Sequence, residues 1–199
     1  MIDTKKNTAV VFPGQGSQVI GMGADLYEKS SIAKDIFDEV DDTLGRKLTD
    51  IVFSGSQEIL NKTENAQPAI TATSLACFSV FKDKYKDFTP SVTAGHSLGE
   101  YTSLSASNAL SVSDTIRLVS ERGRLMQIAC DKNPGGMVAI IGMEIDVVEE
   151  VCREAGAYPS NINSSQQVII SGDNDSLAIA VDLAKARGAK KAIKLSVGG

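Results

Sequence analysis

Histidine, cysteine and uninterrupted apolar sequence are all scarce in this chain, and each scarcity closes off a class of function. There is one histidine, His96, and the three cysteines, Cys77, Cys130 and Cys152, are odd in number and widely spaced. No Cys-x-x-Cys pair occurs and no histidine lies near enough in sequence to join a cysteine at a zinc ion, so no metal site is expected. The thiols are expected to be reduced and buried, as small hydrophobes. Basic residues do not dominate: 20 Lys and Arg stand against 25 Asp and Glu, for a net charge of −5. Non-specific binding to nucleic acid would need the opposite balance. The N-terminal residues run into one short apolar stretch, Ala9 to Phe12, too brief for a signal-peptide core or a membrane span. A soluble, cytoplasmic chain is therefore expected. What remains is ordinary globular material, 42% hydrophobic and 23% charged over 199 residues, enough for one medium domain or two small ones.

The β-branched run Thr8 to Phe12, stopped by Pro13-Gly14, reads as a buried strand feeding a tight loop. Apolar residues from Ile32 through Ile36, Phe37, Val40 and Leu44 recur at helical spacing, with Gly45 placed as a C-terminal cap. Pro68 is expected in the first turn of a further helix, where its missing N–H would be unpaired anyway, and Ala69 to Phe81 is apolar on most sides and so buried. Ser91 to Ala94 reads as a strand, followed by a helix towards Ala109 and another, capped at Ser113, to about Ala129. Alternating strands and helices predict an α/β layer fold with a mainly parallel sheet. The texture changes at Asn133-Pro-Gly-Gly136, a predicted hinge. Beyond it the order is strand (137–142), helix (146–155), strand (160–163), strand (168–171), helix (176–187), strand (191–197), the β-α-β-β-α-β pattern of a ferredoxin-like unit. The predicted domains are a large one over 1–131, a small one over 132–197, and the start of a return to the large domain at 198–199.

Gly95-His96-Ser97-Leu98-Gly99 lies between a predicted strand and a predicted helix, the context in which Gly-x-Ser-x-Gly forms a nucleophile elbow. The turn exposes the serine Oγ, and the next backbone N–H, that of Leu98, helps form an oxyanion hole. Without that context the pattern is only a glycine-rich turn. Gly14-x-Gly16 lacks the third glycine of a dinucleotide fingerprint, because position 19 is Val19. The loop around Gln15 is better suited to presenting amides and a side-chain donor to a reacting carbonyl. Winding 116–129 as a helix places Leu118, Leu125, Met126 and Ala129 on the side of Arg122, which predicts a core-facing guanidinium. Such a cation should meet a carboxylate, either internal or on a substrate. His96 adjoins Ser97 and is poorly placed as its general base.

Together, Phe12-Pro-Gly-Gln-Gly-Ser-Gln18, Thr63-x-x-x-Gln67-Pro68, Gly95-His-Ser-Leu-Gly-Glu-Tyr101, Arg122-Gly-x-x-Met126, Asn161-Ile-Asn163 and Gln167-Val-Ile-Ile-Ser-Gly172 resemble the malonyl-CoA:acyl carrier protein transacylases, in the right order along essentially the whole chain. The resemblance implies an α/β-hydrolase-like large domain with an inserted ferredoxin-like small domain. It also implies an acyltransferase of fatty acid biosynthesis that passes malonyl from coenzyme A to a serine and on to the phosphopantetheine thiol of acyl carrier protein. Carried over, Ser97 is the nucleophile, Gln15 and the Leu98 N–H form the oxyanion hole, and Arg122 holds the malonyl carboxylate. No bound cofactor is implied, the coenzyme A thioester being a substrate. The expected partners are malonyl-CoA and acyl carrier protein, with no nucleic acid or membrane, and the full-length enzyme is expected to be monomeric.

One departure stands out. In that family the base is a histidine just after the last strand of the small domain, and this sequence stops at Ser196-Val-Gly-Gly199, short of it. The expectation is a portion of a longer enzyme with little activity unless a complementing fragment supplies the base. The alternatives are a free-standing polyketide acyltransferase, a serine thioesterase or esterase, and a non-catalytic carrier-protein or coenzyme A binding fragment. Lys185, Arg187, Lys190, Lys191 and Lys194 form a basic cluster that either contacts an acidic carrier protein or is a solvated surface.

Overall fold

The computed structural model describes residues 7–195. The expected return segment at 198–199 and the end of the last expected strand lie outside the described residues. Two compact units divide between Leu125 and Met126.

The first unit opens with β1 (Ala9–Phe12) and continues through α1 (Ala24–Lys29), α2 (Ser31–Leu44), α3 (Leu48–Ser54), α4 (Gln57–Asn61), α5 (Thr63–Lys84), β2 (Val92–Gly95), α6 (Gly99–Ala106) and most of α7 (Val112–Lys132). Strands β1 and β2 pair in parallel, Ala9 opposite Val92 and Phe12 opposite Gly95. Helix α2 turns the expected stripe inward, burying Ala33, Phe37 and Val40, and Gly45 ends it in the left-handed region at φ 62°. These side chains pack with Leu48, Val52, Leu60, Ile70, Leu98, Ile116 and Val119 into one core.

Four local expectations need correction, the first being the buried first strand: β1 buries only Phe12 and leaves Val11 73% exposed. Helix α5 begins at Thr63, so Pro68 lies inside it rather than in its first turn. An interior proline deprives the carbonyl four residues back, that of Glu64, of its helical partner, at about 3 kcal/mol. Burial of Gln67, Pro68, Ala69 and Ile70 in the core offsets this. Helix α7 begins at Val112, and the side chain accepting from its first turn is Ser111, whose Oγ takes the Asp114 N–H at 3.0 Å. Ser113 is therefore one turn position inside, not the cap. Of the cysteines only Cys152 is buried; Cys130 is half-buried and Cys77 exposed. Residue 77 follows buried Ala76 by one position, and 100° of helical rotation carries it off the packed stripe. Burial pushes the Cys152 thiol up to about 11, helped by the negative charge of Glu149.

The second unit contains β3 (Gly136–Ile141), α8 (Ile145–Ala155), β4 (Tyr158–Ser164), β5 (Gln167–Gly172), α9 (Asn174–Ala186) and β6 (Lys191–Lys194). Its sheet has the order β4-β5-β3-β6, and every neighbouring pair is antiparallel. Alternation sorts its faces: Val138 and Ile140 stand opposite Ile170 and Val168 and pack with Val148, Val151, Cys152, Leu177 and Ala180 of the two helices. Asp173 caps α9, accepting from the Ser176 N–H at 2.8 Å and the Ser176 hydroxyl at 2.7 Å. Those bonds hold its carboxyl below the usual carboxylate range. Among the described residues no helix is long and apolar enough to cross a membrane.

Two contacts fix the first unit most sharply. Asp41, buried, accepts from the backbone N–H groups of Leu48 (2.8 Å) and Thr49 (3.2 Å) and from the Thr49 hydroxyl (2.6 Å), so it caps α3 from a different helix. Asp41→Ala strands these donors and is expected to lower stability by about 1–3 kcal/mol in a urea titration. Gly99 opens α6 directly against the carbonyl oxygen of Phe12, and a Cβ placed there would overlap that oxygen. The obstruction is backbone, which cannot swing aside. Gly99→Ala is expected to cost about 3 kcal/mol or more in the same titration, against less than about 0.5 kcal/mol for an exposed control such as Glu39→Ala.

Candidate active site

Strand β2 delivers the chain to Gly95, and α6 takes it away from Gly99, leaving only His96, Ser97 and Leu98 to make the reversal. Ser97 absorbs it at φ 51°, in the left-handed region that side chains with a Cβ seldom occupy. The turn is pinned at both ends. The His96 N–H donates to the Phe12 carbonyl at 3.1 Å, the Gly99 N–H to His96 O at 2.9 Å and the Glu100 N–H to Ser97 O at 3.2 Å. A Cβ on Gly95 would overlap the backbone of Gly99, so the elbow closes only with glycine there. Its consequence is an exposed serine hydroxyl at the start of a helix.

Leu98 contributes in two directions. Its side chain is fully buried in the core, which anchors the turn. Its N–H donates to no group among the described residues, and at a helix N-terminus such an N–H is available to an anion.

Gln15 sits in the loop after β1. The loop is held by Gln18, whose side-chain oxygen accepts from the Gly16 N–H at 2.8 Å and whose Nε2 donates to Asn61 Oδ1 at 3.0 Å. Gln57 adds a bond from its Nε2 to the Gln18 carbonyl at 3.3 Å. Within this frame Gln15 Nε2 donates to Thr63 Oγ1 at 3.2 Å.

Arg122 lies beside the serine. Its Nη2 donates to Ser97 Oγ at 2.8 Å and its Nη1 to Gln67 Oε1 at 2.7 Å, while its Cζ stands 5.9 Å from the centre of the Tyr101 ring. The expectation for this helix face is corrected in detail. The buried stripe of α7 in the first unit is Thr115, Ile116, Val119 and Gly123, whereas Leu118 and Leu125 are 46% and 53% exposed. Arg122 is at the edge of that stripe, half-buried, rather than in its middle. A carboxylate partner within the protein was one expectation, and none is present among the described residues: the acceptors are an amide and a hydroxyl, both neutral.

His96 is directed to the loop after β1, and a Cβ on Gly14 would stand 2.9 Å from its Nδ1. The basic cluster is smaller than its sequence suggests. Arg187 pairs with Glu154 at 2.6 Å and lies 3.9 Å from Glu150, leaving Lys185, Lys190, Lys191 and Lys194 exposed.

Thus Arg122 meets Ser97 directly with Leu98 next in the chain, while Gln15 bonds Thr63, which lies one helical turn before Gln67 on α5. Thr63 and Gln67 are the residues to which sequence reading assigned no role. The available signal was the Thr63-x-x-x-Gln67 spacing, which puts the two side chains on one face of a helix.

The malonyl CoA-acyl carrier protein transacylase of Bacillus subtilis (strain 168) is 45% identical over 96% of this chain and 61% of its own length. That of Haemophilus influenzae Rd is 43% identical over 96% and 63%. Among solved structures, a type II PKS acyl-carrier protein in complex with its malonyl-transacylase superposes with a TM-score of 0.91 at 41% identity, covering 97% of this chain and 63% of the other. MCAT from Streptococcus pneumoniae gives 0.89 at 38% identity over 97% and 64%. The chain spans about three fifths of the length of the curated relatives it matches. The acyl transferase domain family matches residues 9–198, and the chain belongs to it.

Proposed function

We propose that Ser97 carries a malonyl group from coenzyme A to the phosphopantetheine thiol of an acyl carrier protein. The observation that carries this reading is the guanidinium of Arg122 at 2.8 Å from Ser97 Oγ, held by a neutral anchor. A malonyl ester on Oγ puts its free carboxylate two carbons from the ester oxygen, within a small side-chain rotation of Nη2. The carboxylate then replaces the hydroxyl as acceptor and gains a charge-assisted bond. Acetyl leaves the same cation without an anion, and a site built for a polar partner rejects the analogue lacking it. An esterase for neutral acyl groups has no use for this cation, which counts against that reading.

In the first step Ser97 Oγ attacks the thioester carbonyl carbon, a general base takes the hydroxyl proton, and the developing oxyanion is met by the Leu98 N–H and the Gln15 amide. Collapse breaks the C–S bond, and the coenzyme A sulfur leaves and takes up a proton. In the second step the carrier thiol gives its proton to the base and its sulfur attacks the ester carbonyl carbon, the C–O bond to Ser97 breaks, and Ser97 Oγ leaves and takes that proton back as the free hydroxyl. The thioester is itself the activated reactant, so the reaction calls for no bound cofactor. His96, directed to Gly14, is given no part in taking the Ser97 proton. The carrier belongs to fatty acid or polyketide synthesis, in keeping with the relatives named above.

The architecture is in keeping with this chemistry. The parallel pair and the elbow support an α/β-hydrolase-like large domain over 1–131. The order β4-β5-β3-β6 with both helices on one face supports a ferredoxin-like small domain over 132–197, inserted in the large one.

Long incubation with malonyl-CoA followed by intact-mass analysis is expected to reveal a malonyl adduct, formed slowly in this chain alone, that is absent in Ser97→Ala. Free malonic acid with no adduct at any time would instead mark a hydrolase. Arg122→Ala is expected to lower adduct formation from malonyl-CoA by about 100-fold while changing that from acetyl-CoA little. Gln15→Ala is expected to slow both thioesters alike, by about 100-fold, because the oxyanion is common to them. The two thioesters measured side by side therefore tell acyl selection from carbonyl activation.

A further inference from the structure

The two side chains that would select and activate the acyl group both rest on one turn of α5, and the more consequential support is Gln67. Its side chain is fully buried, and its carbonyl accepts from Arg122 Nη1 at 2.7 Å. The next residue is Pro68, inside the helix, and the residue after Arg122 is Gly123, where a Cβ would stand 2.7 Å from the Thr63 carbonyl. Helices α5 and α7 thus meet backbone to backbone at this point, which leaves Gln67 and Arg122 little room to change partners.

The chemistry at position 67 matters more than its shape. A glutamate of the same size would hold the guanidinium as well or better, and would also neutralise it. A buried amide supplies the direction of a hydrogen bond without the countercharge. The cation therefore keeps its full charge for an anion arriving at Ser97. We infer that Gln67 is a positioning residue for acyl selectivity: it aims Arg122 at the acyl site and, being neutral, leaves the guanidinium free to demand a carboxylate from the substrate.

This inference rests on the reading of Arg122 as the malonyl-binding cation, and its test separates the two. In a Ser97→Ala background, where no acyl transfer occurs, the dissociation constants of malonyl-CoA and acetyl-CoA are measured by calorimetry for the parent, Gln67→Glu and Gln67→Met, each first checked for folding by its thermal transition. The parent is expected to favour malonyl-CoA by about 100-fold. In Gln67→Glu the preference should fall by at least about tenfold, through weaker malonyl-CoA binding with acetyl-CoA nearly unchanged, because the new carboxylate occupies the cation. Gln67→Met removes the anchor without adding charge and should reduce the preference in the same direction.

A role confined to packing would shift the thermal transition and weaken both ligands equally. Folded variants with the preference intact overturn the inference and leave the reading of Arg122 standing. A parent that binds the two thioesters alike overturns that reading, and this inference falls with it. If neither variant folds, Gln67 is a structural residue and the inference is overturned.

Discussion

Helix α6 can begin where it does only because neither Gly95 nor Gly99 carries a side chain. The first would drive a Cβ into the backbone of Gly99, and the second would drive one into the carbonyl of Phe12. With both hydrogens in place of methyls, the end of β2 and the start of α6 sit against the end of β1. The intervening three residues must then reverse direction, and Ser97 takes the left-handed conformation that the reversal demands. The candidate site depends on that close approach. It exposes the Ser97 hydroxyl, sends the Leu98 side chain into the core, and turns the Leu98 N–H outward at a helix N-terminus.

A second element converts the exposed serine into a site. Helix α5 is buried along most of its length, yet its first turns carry Thr63, Asn65 and Gln67, polar side chains that an apolar interior accepts only when they are bonded. Asn65 uses its amide to hold the Ile59 carbonyl at 2.9 Å, tying α4 to the start of α5. Thr63 and Gln67, one turn apart, accept from Gln15 and Arg122. Buried polar groups placed this way favour a single arrangement of the two donors, because any other breaks a hydrogen bond at the edge of the core.

The second unit follows a simpler rule. Its antiparallel sheet puts Val138, Ile140, Val168 and Ile170 on the face that α8 and α9 cover, and the pleat rather than residue type sorts the faces, since Ala139 and Ile169 between them are apolar and buried as well. Arg187 illustrates how pairing alters a surface. In the sequence it belongs to a basic cluster, but in the fold its guanidinium is committed to Glu154 of α8, holding that carboxyl below its ordinary range.

The sequence by itself determined the order and type of the longer elements, because periodicity and glycine placement are local, whereas the short helices α1, α3 and α4 carry too few turns for periodicity to mark and appear only in the fold. The stripe of α2, the strand-elbow-helix run around Ser97, and the order of strands and helices after Gly136 are all written in neighbouring residues. It also named Ser97, Leu98, Gln15 and Arg122 as the residues of interest, through the motifs and the family they resemble. Tertiary structure alone decided what those residues touch. That α7 buries Thr115, Ile116, Val119 and Gly123 rather than Leu118 and Leu125 depends on which helices pack beside it, and periodicity cannot choose between two adjacent apolar stripes. Pro68 inside a helix, Asp41 capping a helix other than its own, and Gln67 in place of a carboxylate against Arg122 are all contacts between residues distant in the chain. Such partners are fixed by packing, which no window of local sequence contains.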